Sequence, residues 1–178
     1  SVIGVSFQSC PLEKRQLFSF SSDNEYQTYR SFENSFPGKS VVFVSTCNRV
    51  EIYSNVFDYE ELLKWWAQFC AQNYREIQKS SFFKIRYGAL RHLVDVCSGI
   101  DSMVIGENQI LGQIKQAYLR ACDENCVFGD LRLAFEQAFC ITKLIKTQTI
   151  LSSCQVSVIS IAVSRALEND PFLSKKFL

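Results

Sequence analysis

The stretch VVFVSTCNRVEIYSNV, residues 41–56, decides the fold. Its opening VVFV is apolar and rich in β-branched residues, as a strand requires. The following RVEIYSNV alternates polar and apolar with period two, the mark of a second strand. Cys47 and Asn48 fall between the two runs, so the thiol sits where the backbone reverses and its side chain is free to be exposed. Asn48 tolerates the left-handed conformation that such a turn often needs. Side chains alternate along a strand, so Arg49, Glu51 and Tyr53 share one face. Arg49 beside Cys47 would favour the thiolate, the reactive form of cysteine. On the residues alone, a hairpin with an incidental cysteine fits the same spacing equally well.

Working outward, residues 2–7 read as a short strand, and Pro11 starts a helix carrying Leu12, Leu17 and Phe18. Residues 21–36 read as a second helix, closed by the turn Pro37-Gly38. From Tyr59 the sequence turns helical through LLKWWAQFCAQ, with Trp65, Trp66 and Phe69 as a core-facing stripe. FFKIRY is a short strand and GALRHLVDVCSG a helix. Residues 108–121 place Ile110, Leu111, Ile114, Ala117, Tyr118 and Ala121 at helical spacing. Residues 131–149 repeat that spacing, and 156–167 form another apolar helix. The fold class is α+β: a small sheet with flanking helices in the first half and a mainly helical second half.

A chain of 178 residues that is 47% hydrophobic can bury a sizeable core. Charged residues at 21% and a net charge of +1 exclude disorder and a generally basic nucleic-acid coat. Any RNA contact must come from a local patch. The candidate is Arg75, Lys79, Lys84, Arg86 and Arg91, though a solvated surface is the commoner role of such a stretch. No apolar run is long enough for a membrane span. The N-terminal SVIGVSF lacks the basic flank of a secretory signal, and Ser1 in place of methionine implies trimming. Of eight cysteines, Cys70, Cys97, Cys122 and Cys140 read as small core hydrophobes. Only Cys122 and Cys126 are close together, and one histidine supplies no zinc-ligand set, so no metal is expected. Free thiols in a reducing cytosol are the economical reading.

A second polar cluster is HLVDVCSGIDSMVIGENQILGQIKQAY, residues 92–118. His92 is the chain's only histidine, and histidine is the side chain suited to proton transfer near neutrality. A lone helix histidine is nonetheless more often a surface or satisfied core residue. Gln109 and Gln113 share a helix face, just after Glu107, which suits a helix N-terminus. They suit a small polar ligand or, more commonly, a wet face. Gly99 and Gly106 lack the spacing of a phosphate-cradling loop.

STCNRVEIY resembles the signature of the glutamyl-tRNA reductase family, and GIDSMVIGENQILGQIKQAY resembles that family's second signature, usually written with G-E-P-Q-I-L-G-Q. SVISIAVSRAL, residues 157–167, looks like the family's helix leading toward its cofactor domain, so the resemblance spans essentially the whole chain. It implies that Cys47 attacks the glutamyl ester and that Thr46, Asn48 and Arg49 contact the substrate. It implies further that Ser102, Glu107, Asn108, Gln109 and Gln113 line the glutamate pocket, and that His92 assists catalysis. Arg49 would offer its two-pronged guanidinium to a carboxylate. Residues 1–150 would form the catalytic domain, and 151–178 a helix leading toward an NADPH-binding domain that lies outside the chain, with NADPH the cofactor. The implied reaction is NADPH-dependent reduction of glutamyl-tRNA(Glu) to glutamate-1-semialdehyde through a cysteine thioester, the first step of 5-aminolevulinate and tetrapyrrole synthesis. The chain would carry the thioester-forming half. The family also implies a cytoplasmic homodimer, with the downstream glutamate-1-semialdehyde aminomutase as a further partner. Two departures stand out: Ser6-Phe7-Gln8-Ser9-Cys10-Pro11 replaces the family's N-H-K-T-A-P, and Asn108 replaces a proline. A cysteine-dependent thiol hydrolase or transferase, or a non-catalytic tRNA-binding module, are the alternatives.

Overall fold

The computed structural model describes residues 1–20, 25–104, 107 and 109–148. Strands form where the apolar runs predict them: β1 (Val2–Ser6), β2 (Val41–Ser45), β3 (Arg49–Ser54) and the short β4 (Phe82–Lys84). They make one antiparallel sheet in the order β2-β3-β1-β4, so the N-terminal strand lies in its interior. The helices are α1 (Leu12–Leu17), α2 (Glu25–Ser35), α3 (Tyr59–Phe69), α4 (Tyr74–Ser80), α5 (Arg86–Ser98), α6 (Gln109–Asp123) and α7 (Gly129–Gln148). The α+β reading therefore holds, with the sheet and its helices first and the long helices after. Helix α4 was not anticipated, because YREIQKS shows too few apolar residues to declare a period. The apolar helix expected at 156–167 lies outside the described residues.

Every residue of β3 is buried. Its alternation separates two kinds of interior, since both faces of the sheet are covered. On one face Phe43, Ile52, Ile3 and Phe83 line up across the four strands. Phe43 stacks on Trp65 of α3 at 5.7 Å and packs against Tyr29 and Phe32 of α2. Trp66 is fully buried beside them, and its indole N–H donates to the Phe18 carbonyl at 3.0 Å. On the other face Val44, Glu51, Gly4 and Phe82 line up. Helix α5 brings His92 to Glu51 on that face, α7 brings Phe135 to Tyr53, and α6 packs against β2. The stripe that α6 buries is Ile110, Ile114, Ala117 and Ala121, with Leu111 and Tyr118 half-buried beside it.

Of the residues read onto α1, Leu12 and Leu17 are 46% and 55% exposed; the inward side chain is Arg15, one turn before the buried Phe18. An expectation about the thiols needs correction. Cys140 is exposed rather than a core residue, because it lies off the face of α7 that buries Phe135, Ala138 and Thr142. Cys97 is buried, and Cys70 and Cys122 are half-buried.

Gly4 is where the polar face is tightest. A Cβ built there would meet Glu51 Cγ at 2.7 Å and the Val50 carbonyl oxygen at 2.8 Å. Neither can retreat, since Val50 is held in the ladder and Glu51 in a buried ion pair. Gly4→Ala is therefore expected to destabilise the fold by about 1–3 kcal/mol, read as a lowered denaturant midpoint. An unchanged midpoint would show that the strand yields without cost.

Candidate active site

The turn joining β2 to β3 is built by a hydroxyl. Thr46 Oγ1 accepts the amide N–H groups of Asn48 at 3.2 Å and Arg49 at 3.1 Å, and Thr46 N–H donates to the Arg49 carbonyl at 2.9 Å. This local capping reverses the chain. Asn48 does not use a left-handed conformation; among the described residues the non-glycines with positive φ are Ala71, Arg86 and Asn125. The carbonyls of the turn are held from outside. Asn48 O accepts the Phe7 N–H at 2.8 Å, and Cys47 O accepts from Nε and Nη2 of Arg15 at 2.9 and 2.6 Å. The Cys47 side chain is left exposed, and its amide N–H donates to no group among the described residues.

A narrow cavity of about 40 Å³ opens beside the thiol, lined by Thr46, Cys47, Asn48, Arg49, Ser102, Glu107, Gln109, Ile110 and Gln113. The fold thus gathers the residues of both sequence clusters at one place, although more than fifty positions separate them. Asn108 lies outside the described residues. Ile110 was read only as a core residue; its position one residue after Gln109 puts it on the rim between cavity and core.

Arg49 is not spent on the thiol. It is 1% exposed, and Nη1 donates to Glu51 Oε1 at 2.8 Å and to Asp101 Oδ2 at 3.3 Å, while Nη2 donates to the Asp101 carbonyl. Its Nε has no acceptor among the described residues. The expectations that it would act on Cys47 and fork onto a substrate carboxylate missed this, because the partners come from the same strand face and from the turn after α5. Glu51 is fully buried and also accepts from Tyr53 Oη at 2.7 Å. Burial alone would raise the Glu51 carboxyl, but the His92 hydrogen bond, the Arg49 charge and the Tyr53 hydroxyl outweigh it and hold it at about 2. Burial, and then the Glu51 charge, push the Tyr53 phenol well up.

His92 does not line the Cys47 cavity. It is buried on α5, with Nε2 at 2.9 Å from Glu51 Oε1 and Nδ1 at 3.4 Å from Lys84 Nζ. With Lys84 donating to Nδ1, the ring proton sits on Nε2 and points at Glu51. His92 lines a second cavity of about 540 Å³, with Ser6, Gln8, Ser9, Phe82, Lys84, Asp95, Ile100 and Asp101. The Arg49–Asp101 pair joins the walls of the two cavities. Sequence reading missed Arg15 and Asp101. The signal for Arg15 was available: it is three residues before Phe18, on the helix face that is buried. In the basic stretch, Lys84 is drawn to His92, whereas Lys79 and Arg91 pair with Glu76 and Asp95 on the surface.

Cys10 and Cys97 are buried, and Cys70 and Cys126 half-buried. Burial pushes Cys70 and Cys97 up to about 12 and raises Cys10 and Cys126, so these hold their protons. Cys140 is exposed but stands on α7, outside both cavities. Among the described residues no group of three or more His, Cys, Asp or Glu side chains is placed to hold a metal ion, and no helix is long and apolar enough to cross a membrane.

Fold and site together define an α+β domain that presents one exposed thiol on a strand turn, beside a cavity walled by amide and hydroxyl groups. A family profile described as "Glutamyl-tRNAGlu reductase, N-terminal domain" matches residues 3–149. Proteins named glutamyl-tRNA reductase from Shewanella amazonensis and Shewanella oneidensis are 34% and 32% identical over 164 residues. Each alignment covers 92% of this chain and 39% of the relative. A solved structure titled glutamyl-tRNA reductase from Methanopyrus kandleri superposes with a TM-score of 0.74 at 30% identity, covering 94% of this chain and 39% of that one. The chain belongs to the glutamyl-tRNA reductase family, and the part it matches is the N-terminal domain. It spans about two-fifths of the length of these relatives.

Proposed function

We propose that this chain carries the acyl-accepting half of a glutamyl-tRNA reductase. Cys47 Sγ attacks the ester carbonyl that joins glutamate to the 3′ end of tRNA(Glu). The sulfur–carbon bond forms, the carbon–oxygen ester bond breaks, and the thiol proton ends on the released tRNA hydroxyl. The observation that carries the reading is the exposed Cys47 thiol at the wall of a cavity to which Ser102, Glu107, Gln109 and Gln113 bring polar groups from the second sequence cluster. These groups suit a glutamyl moiety: the amides and hydroxyl can donate to its carboxylate, and Glu107 can pair with its ammonium. The Cys47 N–H, which has no acceptor among the described residues, suits the oxyanion that develops on attack. Thr46 and Asn48 shape the turn, and Asn108 completes the assigned set. Arg49 acts as part of the wall rather than as a free carboxylate clamp. His92 is assigned its assisting role from the adjoining cavity, through Glu51 and Arg49.

In the family reading the thioester is reduced to glutamate-1-semialdehyde with hydride from NADPH, opening the route to 5-aminolevulinate and tetrapyrroles. Among the described residues there is no glycine-rich strand-to-helix turn of the kind that cradles a dinucleotide, so no step of that reduction is derived from them. The homodimer, the aminomutase partner and the cytoplasmic location are carried by the family reading alone.

The test is mass spectrometry after mixing the chain with glutamyl-tRNA(Glu). One glutamyl group on the Cys47 peptide is expected. A folded chain that acquires none would remove the reading.

A further inference from the structure

Arg15 is 4% exposed, yet no carboxylate lies within ion-pair reach of it among the described residues. Its guanidinium is satisfied by carbonyls instead. Nε and Nη2 both donate to Cys47 O, at 2.9 and 2.6 Å, and Nη1 donates to Cys10 O. Burying a cation without a counter-charge is costly, and an apolar side chain would fill the same place on α1 without that cost. What the arginine alone supplies is a planar fork that grips one oxygen from two nitrogens and reaches a second oxygen with the third. Both gripped oxygens belong to cysteine backbone: one to Cys47, the other to the segment that follows β1. Arg49 is committed to Glu51 and Asp101, so Arg15 is the cation bonded to the backbone of Cys47 itself.

The rest of the turn shows why that grip matters. Thr46 Oγ1 organises the amides of Asn48 and Arg49, and Phe7 N–H holds Asn48 O. The peptide plane that follows Cys47 would otherwise have its carbonyl untied. Resting on the reading of Cys47 as acyl acceptor, we infer that Arg15 is a positioning residue for the thiol. Its fork on the Cys47 carbonyl fixes the peptide from which the exposed sulfur projects. The reaction thereby depends on α1, an element with no residue in the Cys47 cavity.

Arg15→Lys, which keeps the charge but loses the fork, and Arg15→Gln are the variants that test it, in the full chain. Amide hydrogen exchange is followed by mass spectrometry, and glutamyl transfer to Cys47 is followed against glutamyl-tRNA concentration. Exchange at residues 46–50 is expected to quicken by about tenfold or more, with β1 and α3 unchanged. The maximal transfer rate is expected to fall by roughly ten- to a hundredfold, with the half-saturating tRNA concentration within about threefold of the parent. Lysine should rescue no better than glutamine. Unaltered exchange at the turn, exchange quickened evenly over the whole sheet, or variants that do not fold would each make Arg15 merely structural and overturn the inference. Full-rate transfer in both variants would overturn it alone. No adduct on the parent chain would instead sink the acyl-acceptor reading, and this inference with it.

Discussion

Cys47→Ser is expected to abolish capture of the glutamyl group, lowering covalent transfer by about three orders of magnitude or more. A serine hydroxyl needs a base within hydrogen-bond reach to become a nucleophile, whereas a thiol ionises far more readily. Among the described residues no side chain is hydrogen-bonded to the Cys47 sulfur to act as one. His92, the only histidine, is bonded to Glu51 and lines the other cavity. The variant should still fold, because the Cys47 side chain is exposed and the turn is held by backbone groups, Thr46 and Arg15. Cys140→Ser, which alters the exposed thiol on α7, should leave transfer unchanged. Peptide mapping after exposure to glutamyl-tRNA reads both outcomes. An adduct that persists in Cys47→Ser, or that maps to Cys140 in the parent, would move the nucleophile elsewhere.

Glu51→Gln is expected to have the largest effect on stability. It keeps the shape of the side chain but removes the charge that faces Arg49 at 2.8 Å, where both side chains are almost wholly buried. Among the described residues Arg49 would retain Asp101 as its counter-charge, at 3.3 Å and partly solvated. Breaking a buried pair on one side costs roughly 3–5 kcal/mol, on the order of a 10 °C fall in melting temperature for a chain of this size. The same carboxylate sets an acid limit. Its pKa is about 2 in the folded chain against an ordinary 4.5, so the unfolded chain binds the proton more readily. The resulting stability, roughly 3 kcal/mol, is fully present above pH 4.5 and is lost as pH falls toward 2. Parent and variant melting curves should therefore converge across that window. Curves that stay parallel from pH 5 down to 2 would show that Glu51 titrates alike in both states.

The identity of β2 and β3, the polar face of Arg49, Glu51 and Tyr53, and the helix carrying Gln109 and Gln113 follow directly from local patterning. Periodicity is a property of neighbouring residues, so a single sequence displays it. Where those elements lie relative to one another is not local. That β1 sits inside the sheet beside β3, and that Gly4 must yield space to Glu51, depends on pairing between residues some fifty positions apart. The alternation of β3 separates an aromatic interior from an ionic one, and that both faces are covered depends on the helices packed on either side.

At the site the division is the same. The sequence by itself determined which residues carry the chemistry-bearing groups: a thiol on a strand turn, two glutamines one helical turn apart, and a resemblance on both stretches to one family. Only the tertiary structure decided what each charge does. Arg49 is engaged by Glu51 and Asp101, because burial leaves it no solvent and these are the carboxylates within reach among the described residues. His92 joins that pair from α5, while Arg15 of α1 takes hold of the Cys47 carbonyl. A buried charge must find its partner wherever the fold supplies one, and spacing along the chain does not say where that is.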